Sequence, residues 1–353
     1  MSSIIIISNT FSSSFVFRYD YIEFLRKNDV LGCVVSTADD RNYVNEIDLE
    51  TYNGICFKLK NLGQIFRTLK KAKVIHSFTH IGNVLGFLLS LIMGKPQIAT
   101  ITGRGRIYQN KGLKNRVFRV ILNKMYLYIA NSKGILIVQN KTDLSFFKQV
   151  IGNDKKLLIT AGSGISYAEY EKLFSPIQIN KKKLILGFMS RALVEKGVHE
   201  FYDAALVHST KNIRFRHVGH AGIGKFGPAE IYETAASFNV EYLPFTNKAF
   251  DQIKSMDIIV IPSTYLEGVP RLMIEALCAG KIVIARKTSG IMDYEGVFPN
   301  LIIYESDLIS AIEICLHNIN RIAKCVDTNK AFSVFDARKV LKVYKVAYSH
   351  VCK

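Results

Sequence analysis

Residues 263–285 read STYLEGVPRLMIEALCAGKIVIA, a pattern that predicts, in order, a loop, a helix and the start of a strand. The apolar run IIVIP at 258–262 precedes them and predicts a buried strand. Pro270 suits the first position of a helix because its φ angle is fixed, and Gly280 is a typical helix stop. A second apolar run begins at Ile282, so the segment predicts two buried parallel strands joined by a helix.

The same alternation of apolar runs and helical patterns extends over the rest of the chain. Short apolar runs that predict strands lie at 4–8, 31–36, 73–77, 97–102, 135–139, 158–160, 184–190, 213–219, 257–263 and 281–286. Amphipathic patterns that predict helices lie between most of them, as at 17–27 and 82–93. Strands that alternate with helices predict an α/β fold with parallel sheets.

These runs fall into two series, and the polar stretch 166–183 separates them. The 353 residues also match the length of two domains of about 150 residues each. We therefore predict two doubly wound, Rossmann-like parallel-sheet domains, at 1–168 and 169–335. The last segment, 336–353, predicts a basic amphipathic helix.

Loops that directly follow the strands are the candidate binding loops, because open parallel sheets bind ligands at the carboxyl ends of their strands. Gly268 and Val269 place backbone amides just before the predicted helix, an arrangement that binds anions. Glu275 lies among the apolar residues of that helix, where a carboxylate needs a partner such as a sugar or ribose hydroxyl. The alternative is that the Glu275 side chain projects to solvent.

The sequence is strongly basic, and the charge is unevenly placed. It carries 47 Lys and Arg against 29 Asp and Glu, a net charge of +18, and no acidic residue lies between Thr51 and Thr142. Apolar residues at helical spacing lie within this acid-free stretch and predict one face of a helix: Leu113, Val117, Val120, Ile121 and Met125. Such a surface suits an anionic membrane or a nucleic acid, or it is only a solvated helix face.

Neither the hydropathy nor the cysteine pattern indicates an exported or membrane-spanning protein. The longest apolar run, 84–93, is about half of the ~20 residues that span a bilayer, and the first residues lack the pattern of a signal peptide. The six Cys form no CxxC pair and have no zinc spacing. We therefore expect a cytoplasmic protein with reduced thiols.

The pair Glu267-x7-Glu275 within EGVPRLMIEALCAGKIVIA resembles the hallmark of retaining GT-B glycosyltransferases of the family-4 type. In that family the element reads E-G-(F/V)-P, then E-A, then G-x-P-V-I-A. Four other segments are similar to family segments: FMSRALVEKG (188–197), AGSGIS (161–166), ITGRGR (101–106) and VQNKTDLSFF (138–147). The third resembles the I-T-G-L-G loop of the subgroup that acts on lipid-linked sugars in surface polysaccharide synthesis.

The resemblance implies a fold and a division of labour between the domains. Two Rossmann-like domains would face each other across a cleft. Domain 1–168 would bind the acceptor, with 336–353 crossing back onto it, and domain 169–335 would bind the nucleotide sugar.

The resemblance also implies roles for residues of the donor site. Arg191 and Lys196 would hold the donor diphosphate, and Glu275 would accept the ribose hydroxyls. Glu267 would be the catalytic residue beside the donor sugar, which it would bind and orient. Amides at Gly268, Val269 and the neighbours of Pro270 would support the β-phosphate, and the nucleobase would stack near 242–245.

On the acceptor side the chain departs from the family pattern at two places. Many members have His-Gly where this chain has Thr102 and Gly103. The lipid-linked subgroup has Thr-Gly there as well, so the resemblance to that subgroup is kept while one contact to the donor sugar is lost. Asn9 and a run of serines replace the family's Gly-rich first loop, where they would bind acceptor hydroxyls or form a simple turn. His76 and His80 flank the carboxyl end of the strand predicted at 73–77. Each either contacts the acceptor or is a structural residue.

The function that the resemblance implies is hexosyl transfer by a retaining, metal-independent enzyme without a cofactor. The donor would be a UDP-linked hexose or N-acetylhexosamine, and the acceptor a lipid-linked saccharide of capsule or O-antigen type. We expect peripheral attachment to the anionic inner face of the cell membrane and no nucleic-acid partner. The alternatives are a GT-B nucleotide-sugar epimerase and a basic nucleic-acid-binding protein; the sugars, the linkage and the oligomeric state stay open.

Overall fold

The computed structural model describes residues 3–40, 44, 47–152, 154–177 and 183–352. Part of the predicted polar stretch, 178–182, and the last residue of the predicted C-terminal segment lie outside the described residues. The chain folds into two compact units. The first unit comprises Met1–Gly164, Leu266–Val269 and Ala337–Lys353, and the second comprises Ile165–Tyr265 and Pro270–Asp336.

The first unit contains a seven-stranded parallel sheet with the order β3-β2-β1-β4-β5-β6-β7. Its strands are β1 Ser3–Ser8, β2 Leu31–Ser36, β3 Gly54–Cys56, β4 Ala72–Phe78, β5 Gln97–Ile101, β6 Ile135–Val138 and β7 Leu157–Ile159. Its first six helices are α1 Phe11–Lys27, α2 Leu62–Lys71, α3 Thr79–Met93, α4 Gly105–Gln109, α5 Leu113–Asn131 and α6 Lys141–Ile151.

The second unit contains a six-stranded parallel sheet with the order β10-β9-β8-β11-β12-β13. Its strands are β8 Leu184–Met189, β9 Ile213–Gly219, β10 Val240–Pro244, β11 Ile258–Ile261, β12 Ile282–Arg286 and β13 Leu301–Tyr304. Its helices are α7 Tyr167–Leu173, α8 Val198–His208, α9 Ile231–Ser237, α10 Ala249–Ser255, α11 Arg271–Cys278, α12 Ser289–Met292, α13 Leu308–Lys324 and α14 Thr328–Phe335.

Helices cover both faces of the first sheet. Alternate residues of a strand point to opposite faces; accordingly Ile6 packs in one core cluster with Phe15 of α1, and Ile7 packs in another with Leu85 of α3. The last helix, α15 Ala337–Val351, adds its buried residues, including Tyr344, to the α1 side of the first unit. Two parallel sheets with helices confirm the predicted α/β fold of two Rossmann-like domains.

Three strands lie outside the predicted apolar runs, and each is at an edge of a sheet. β3 is three residues long, β13 is four and β10 is five. Edge strands are often this short, because a short edge offers few unpaired backbone groups to other chains. A run of three to five residues shows little of the period of a strand.

The structure divides the chain a few residues away from the predicted 168/169 boundary. Ser166 caps α7 through a capping box, because its hydroxyl accepts from the Glu169 amide while the Glu169 carboxylate accepts from the Ser166 amide. The predicted boundary therefore falls inside a helix, and the first part of the polar stretch is this helix. Residues 266–269, predicted within 169–335, belong to the first unit instead.

Candidate active site

The loop that follows β5 is tied to the segment that contains Glu267. The Gly105 amide donates to the carbonyl oxygen of Leu266 at 2.9 Å, and the Gly268 amide donates to that of Thr102 at 2.8 Å. Both segments belong to the first unit. The predicted site residues that this pairing brings together are Thr102, Gly103, Glu267, Gly268 and Val269.

Gly103 is the residue that allows these two backbones to meet. Its φ angle is +124°, which side-chain-bearing L-residues rarely adopt. A Cβ atom at Gly103 would lie 2.5 Å from both the Glu267 carbonyl carbon and the Gly268 nitrogen. The conformation of the Glu267 segment therefore depends on a glycine at position 103.

Gly268 also has no room for a side chain, and its amide already donates a hydrogen bond within the fold. A Cβ atom there would overlap Oε1 of Gln139, and the amide donates to Thr102. The Gly268 amide would therefore support a phosphate only after its bond to Thr102 opens. Pro270 is the N-cap of α11 rather than its first helical residue, and the amides of the first turn that follows have no partner within the helix.

The segment that resembles Q-N-x-x-D positions an arginine that sequence reasoning missed. Asn140 caps α6, since its side chain accepts from the Asp143 amide at 2.7 Å. The buried Asp143 carboxylate accepts from Nε of Arg104 at 2.7 Å, and the Arg104 guanidinium lies 5.2 Å from the Phe146 ring centroid. The family pattern has Leu at position 104, so the departure itself was the available signal.

His76 and His80 act as structural residues in this conformation. Nδ1 of the buried His76 lies 2.8 Å from the Tyr21 hydroxyl, and its Nε2 lies 2.9 Å from the Thr100 hydroxyl. His80 donates from Nε2 to the Arg104 carbonyl oxygen at 3.0 Å, and burial lowers the pKa of His80 to about 4. Burial and the charge of Arg18 also lower the pKa of His76. Both imidazoles are therefore neutral near pH 7, and His80 supports the loop that carries Gly103.

Asn9 lies in a loop whose polar groups already bond to one another. Its Oδ1 accepts from the Ser13 hydroxyl at 2.9 Å, and its carbonyl oxygen accepts from the Ala38 amide at 2.9 Å. The Asp40 carboxylate accepts from the amides of Phe11 at 2.7 Å and Ser12 at 3.1 Å. Because Asp40 occupies the anion-binding end of α1, this loop suits neutral hydroxyls better than a phosphate.

In the second unit, Arg191 and Lys196 lie in the loop between β8 and α8. Arg191 is exposed, and Nζ of Lys196 lies 5.1 Å from the Tyr265 ring centroid. The loop is held against the one after β11, since the Thr264 amide donates to the Glu195 carbonyl oxygen at 3.0 Å. Gly197 has a φ of +79° and a Cβ atom there would overlap Pro262, so the loop that carries both cations has a defined shape.

An aromatic pair lies near Arg191. The rings of His220 and Phe245 stack at a centroid distance of 4.3 Å and an angle of 9°, and Phe245 is 44% exposed. Burial and the charge of Arg191 lower the pKa of His220, so this imidazole is neutral near pH 7. A neutral, partly exposed ring pair is a surface on which a planar base can stack.

Glu275 lies on α11 as predicted and is buried, so the alternative that its side chain projects to solvent is wrong. Its carboxylate also has a partner within the fold, Arg271, that sequence reasoning missed. Its side chain is 12% exposed, and Oε1 accepts from Nε of Arg271 at 2.7 Å. Arg271 also donates from a terminal nitrogen to Oε1 of Glu169 at 2.6 Å. The i,i+4 spacing of Arg271 and Glu275 was a visible signal for the first of these ion pairs.

Within the described ranges, no group of three or more His, Cys, Asp or Glu side chains is arranged to hold a metal ion. The metal-independent reaction implied by the sequence stays a prediction. The donor phosphates would then depend on cationic side chains and helix amides for charge compensation.

Sequence comparisons match part of the chain to known glycosyltransferases. Residues 169–323 match the family described as glycosyl transferases group 1. An N,N'-diacetylbacillosaminyl-diphospho-undecaprenol alpha-1,3-N-acetylgalactosaminyltransferase of Campylobacter jejuni is 28% identical over 258 residues, which cover 68% of this chain and 67% of that protein.

Solved structures match nearly the whole chain. Anabaena HepE in complex with UDP-glucose aligns with a TM-score of 0.75 and 18% identity, covering 98% of this chain and 99% of that one. WaaG, a glycosyltransferase involved in lipopolysaccharide biosynthesis, aligns with a TM-score of 0.68 and 13% identity, covering 98% of each chain. At these identities the structures establish the fold. Residues 169–323 thus match the glycosyl transferases group 1 family, and the chain has the GT-B fold of the solved glycosyltransferase structures.

Proposed function

We propose that this glycosyltransferase moves a hexose or N-acetylhexosamine from a UDP-linked donor to a hydroxyl of a lipid-linked saccharide, with retention of the α configuration. The observation that carries the proposal is the position of the Glu267–Gly268 backbone, directly before α11. The Gly268 amide bonds to the Thr102 carbonyl oxygen, and Gly103 lets the two backbones pack closely together. Two relatives support it by their names: the Campylobacter enzyme acts on a diphospho-undecaprenol saccharide, and HepE was solved with UDP-glucose.

The donor would be held by groups with different tasks. Arg191 and Lys196 compensate the diphosphate charge, which grows on the leaving group as the glycosidic bond breaks. Glu275 accepts hydrogen bonds from the ribose hydroxyls, and the base stacks on the rings of His220 and Phe245. Glu267 accepts hydroxyls of the donor sugar and orients it.

The reaction exchanges one bond to the anomeric carbon for another. The bond from C1 of the sugar to the β-phosphate oxygen breaks, and a bond from C1 to the acceptor oxygen forms on the same face of the ring. The acceptor hydroxyl gives its proton to the departing phosphate, so products are UDP and a saccharide longer by one residue. No protein carboxylate need form a covalent bond in this scheme.

Nucleotide-dependent unfolding tests the donor site. We expect UDP to raise the Tm of the wild-type chain by several degrees, because a ligand at 100 times its Kd stabilises a protein by about 2.7 kcal/mol. GDP, ADP and CMP should shift Tm less. The Arg191→Ala variant should lose most of the UDP shift, whereas Arg214→Ala, at an exposed position of β9, should keep it. Equal shifts in both variants would contradict the assigned phosphate contact.

A surface of the first unit suits attachment to an anionic membrane. On α5, Leu113, Val117, Val120 and Ile121 are 49–76% exposed, and on α3 the exposed residues include Leu88 and Ile92. The predicted apolar face of α5 is thus largely uncovered; among its predicted members Met125 is buried. The two helices touch, since the Phe87 and Tyr128 rings lie 5.5 Å apart.

Charge favours a lipid surface as the partner of these helices. Both lie in the acid-free stretch between Thr51 and Thr142, which carries 16 Lys and Arg. Exposed aliphatic side chains beside lysines and arginines match a bilayer interface, whereas nucleic acid offers no apolar surface to cover them. In the part of the chain that the structure describes, no helix is long and apolar enough to cross a membrane. From the exposed apolar side chains and the neighbouring positive charge, we propose peripheral attachment to the inner face of the cell membrane, and from the resemblance a role in a capsule or O-antigen type pathway.

Vesicle binding tests this surface. Wild-type protein should sediment with vesicles that contain anionic phospholipid and not with neutral ones, and added salt should weaken binding. Replacing Val117 and Ile121 by Glu should reduce the affinity about 100-fold, since each apolar side chain contributes ~1.5 kcal/mol or more on burial. The matched control is Ile314→Glu, at a 59% exposed position of the second unit. Equal binding by the double variant would exclude this surface, and preferential binding to nucleic acid would exclude the membrane assignment.

A further inference from the structure

Arg271 lies between two carboxylates, one on its own helix and one far away in the sequence. Its Nε donates to Oε1 of Glu275 at 2.7 Å and a terminal nitrogen donates to Oε1 of Glu169 at 2.6 Å. The side chains of Arg271 and Glu275 are 11% and 12% exposed, so water screens this ion pair little. The arginine thus links the first turn of α11 to α7.

Glu169 is itself fixed from the opposite side. Its Oε2 accepts from the Ser166 amide at 2.9 Å and from the Ser166 hydroxyl at 3.1 Å. One carboxylate therefore completes the capping box of α7 with one oxygen and binds Arg271 with the other. A side chain held at both oxygens provides a rigid support for the guanidinium, which in turn supports Glu275.

The pairing leaves Glu275 able to accept hydroxyl groups. An ionised carboxylate offers about four acceptor sites on its two oxygens, and the hydrogen bond from Nε of Arg271 uses one of those on Oε1. Two carboxylates and one guanidinium also sum to a charge of −1, which favours hydrogen-bond donors over an anion as the ligand.

We propose that Arg271 and Glu169 are a positioning pair, which orients the Glu275 carboxylate and keeps it charged for the ribose hydroxyls of the donor. This inference rests on the donor site proposed above. Arg271 and Glu169 act through Glu275 and touch no substrate. The guanidinium favours the ionised form of Glu275 and Glu169 opposes it, so the pair sets the pH at which the site becomes competent.

The electrostatics of the three groups have the required signs. Burial raises the pKa of Glu275, the Arg271 charge and hydrogen bond lower it, and the Glu169 charge raises it further. For Arg271, burial alone would lower the pKa, but Glu275 and Glu169 together raise it. A carboxylate that must be ionised binds its ligand above its pKa, and binding is lost as pH falls through that value.

Two variants should shift this pH dependence in opposite directions. UDP affinity of the wild type, measured by calorimetry as a function of pH, should fall at low pH as Glu275 becomes protonated. We call this fall the acidic limb of the profile. In Arg271→Met this limb should move up by about 1–2 pH units, because an adjacent opposite charge shifts a pKa by about that amount. In Glu169→Gln it should move down, since Gln retains the capping hydrogen bonds but removes a negative charge.

Controls separate positioning from a loss of folding. Arg271→Lys keeps the charge, so its acidic limb should stay near that of the wild type while UDP binds several-fold more weakly. Arg286→Met removes a cation that pairs with Glu200 in the same unit and should leave the profile unchanged. Shifts of Arg271→Met and Glu169→Gln in the same direction, or no shift, would overturn the inference while UDP binding by the wild type upholds the donor site. A wild type that binds no UDP would overturn both.

Discussion

Gly103→Ala should abolish most of the transferase activity, with about a 100-fold loss in kcat/KM. The added Cβ atom would lie 2.5 Å from the backbone of the Glu267–Gly268 peptide, where ordinary contacts begin at 3.4 Å. The Glu267 segment must therefore move by about 1 Å, and a shift of that size at a reacting centre costs on the order of 100-fold. The measurement is kcat/KM for sugar transfer, with thermal unfolding to verify that the variant folds.

Gly94→Ala is the matched control for Gly103→Ala. Gly94 also has a positive φ, +61°, but a Cβ atom there meets nothing within 4 Å. Its replacement should cost stability of about 1–2 kcal/mol from the backbone conformation alone, with kcat/KM unchanged. A folded Gly103→Ala variant with wild-type kcat/KM would show that the contact between the two loops does not position Glu267.

Glu267→Gln should lower kcat for transfer by about 10- to 100-fold while leaving UDP affinity unchanged. Gln has the shape of Glu but lacks the charge that strengthens hydrogen bonds to sugar hydroxyls, and such bonds contribute ~1.5–3 kcal/mol. Glu267 is assigned to the donor sugar and not to the nucleotide, so its replacement should change kcat without changing UDP affinity.

Glu313→Gln, at an exposed position of α13, is the control for Glu267→Gln and should change neither kcat nor UDP affinity. Unchanged transfer by Glu267→Gln would remove Glu267 from the catalytic site. A loss of UDP binding equal to the loss of transfer would instead assign Glu267 to the nucleotide.

The parts of the fold that follow from local signals were predictable from the sequence. The strand at 258–261 and Gly280 after the end of α11 occupy the expected places, and Pro270 lies one position before the expected one, at the N-cap of α11. Each depends on residues near in sequence: an apolar run, a fixed φ angle and a positive φ. The three edge strands β3, β10 and β13 were missed because runs of three to five residues carry too little pattern.

The partners of the site residues were less predictable, because they come from distant parts of the chain. Glu169 lies 102 positions before Arg271, and no local pattern relates two residues so far apart. Arg104 likewise donates a hydrogen bond to Asp143, which lies 39 positions later in the sequence. The motif located Glu275 on its helix, whereas only the tertiary fold identifies the arginine that holds its carboxylate.

The Gly268 amide illustrates a different limit. Its place before a helix predicts an anion-binding donor, yet in the structure it donates to Thr102. A carbonyl oxygen brought from another loop satisfies the same donor as a phosphate would. Sequence position alone therefore shows that a donor exists but not which acceptor it has.

The most direct test of the central claim is a transfer assay with the wild-type chain, UDP-linked hexoses and N-acetylhexosamines, and polyprenyl-diphosphate saccharides as acceptors. UDP release and lengthened saccharide are quantified in the same reaction, with and without a metal chelator. The account predicts that one donor yields equal amounts of UDP and lengthened saccharide, with an α linkage and no loss of rate in the chelator. UDP release or sugar epimerisation without a lengthened acceptor would contradict it.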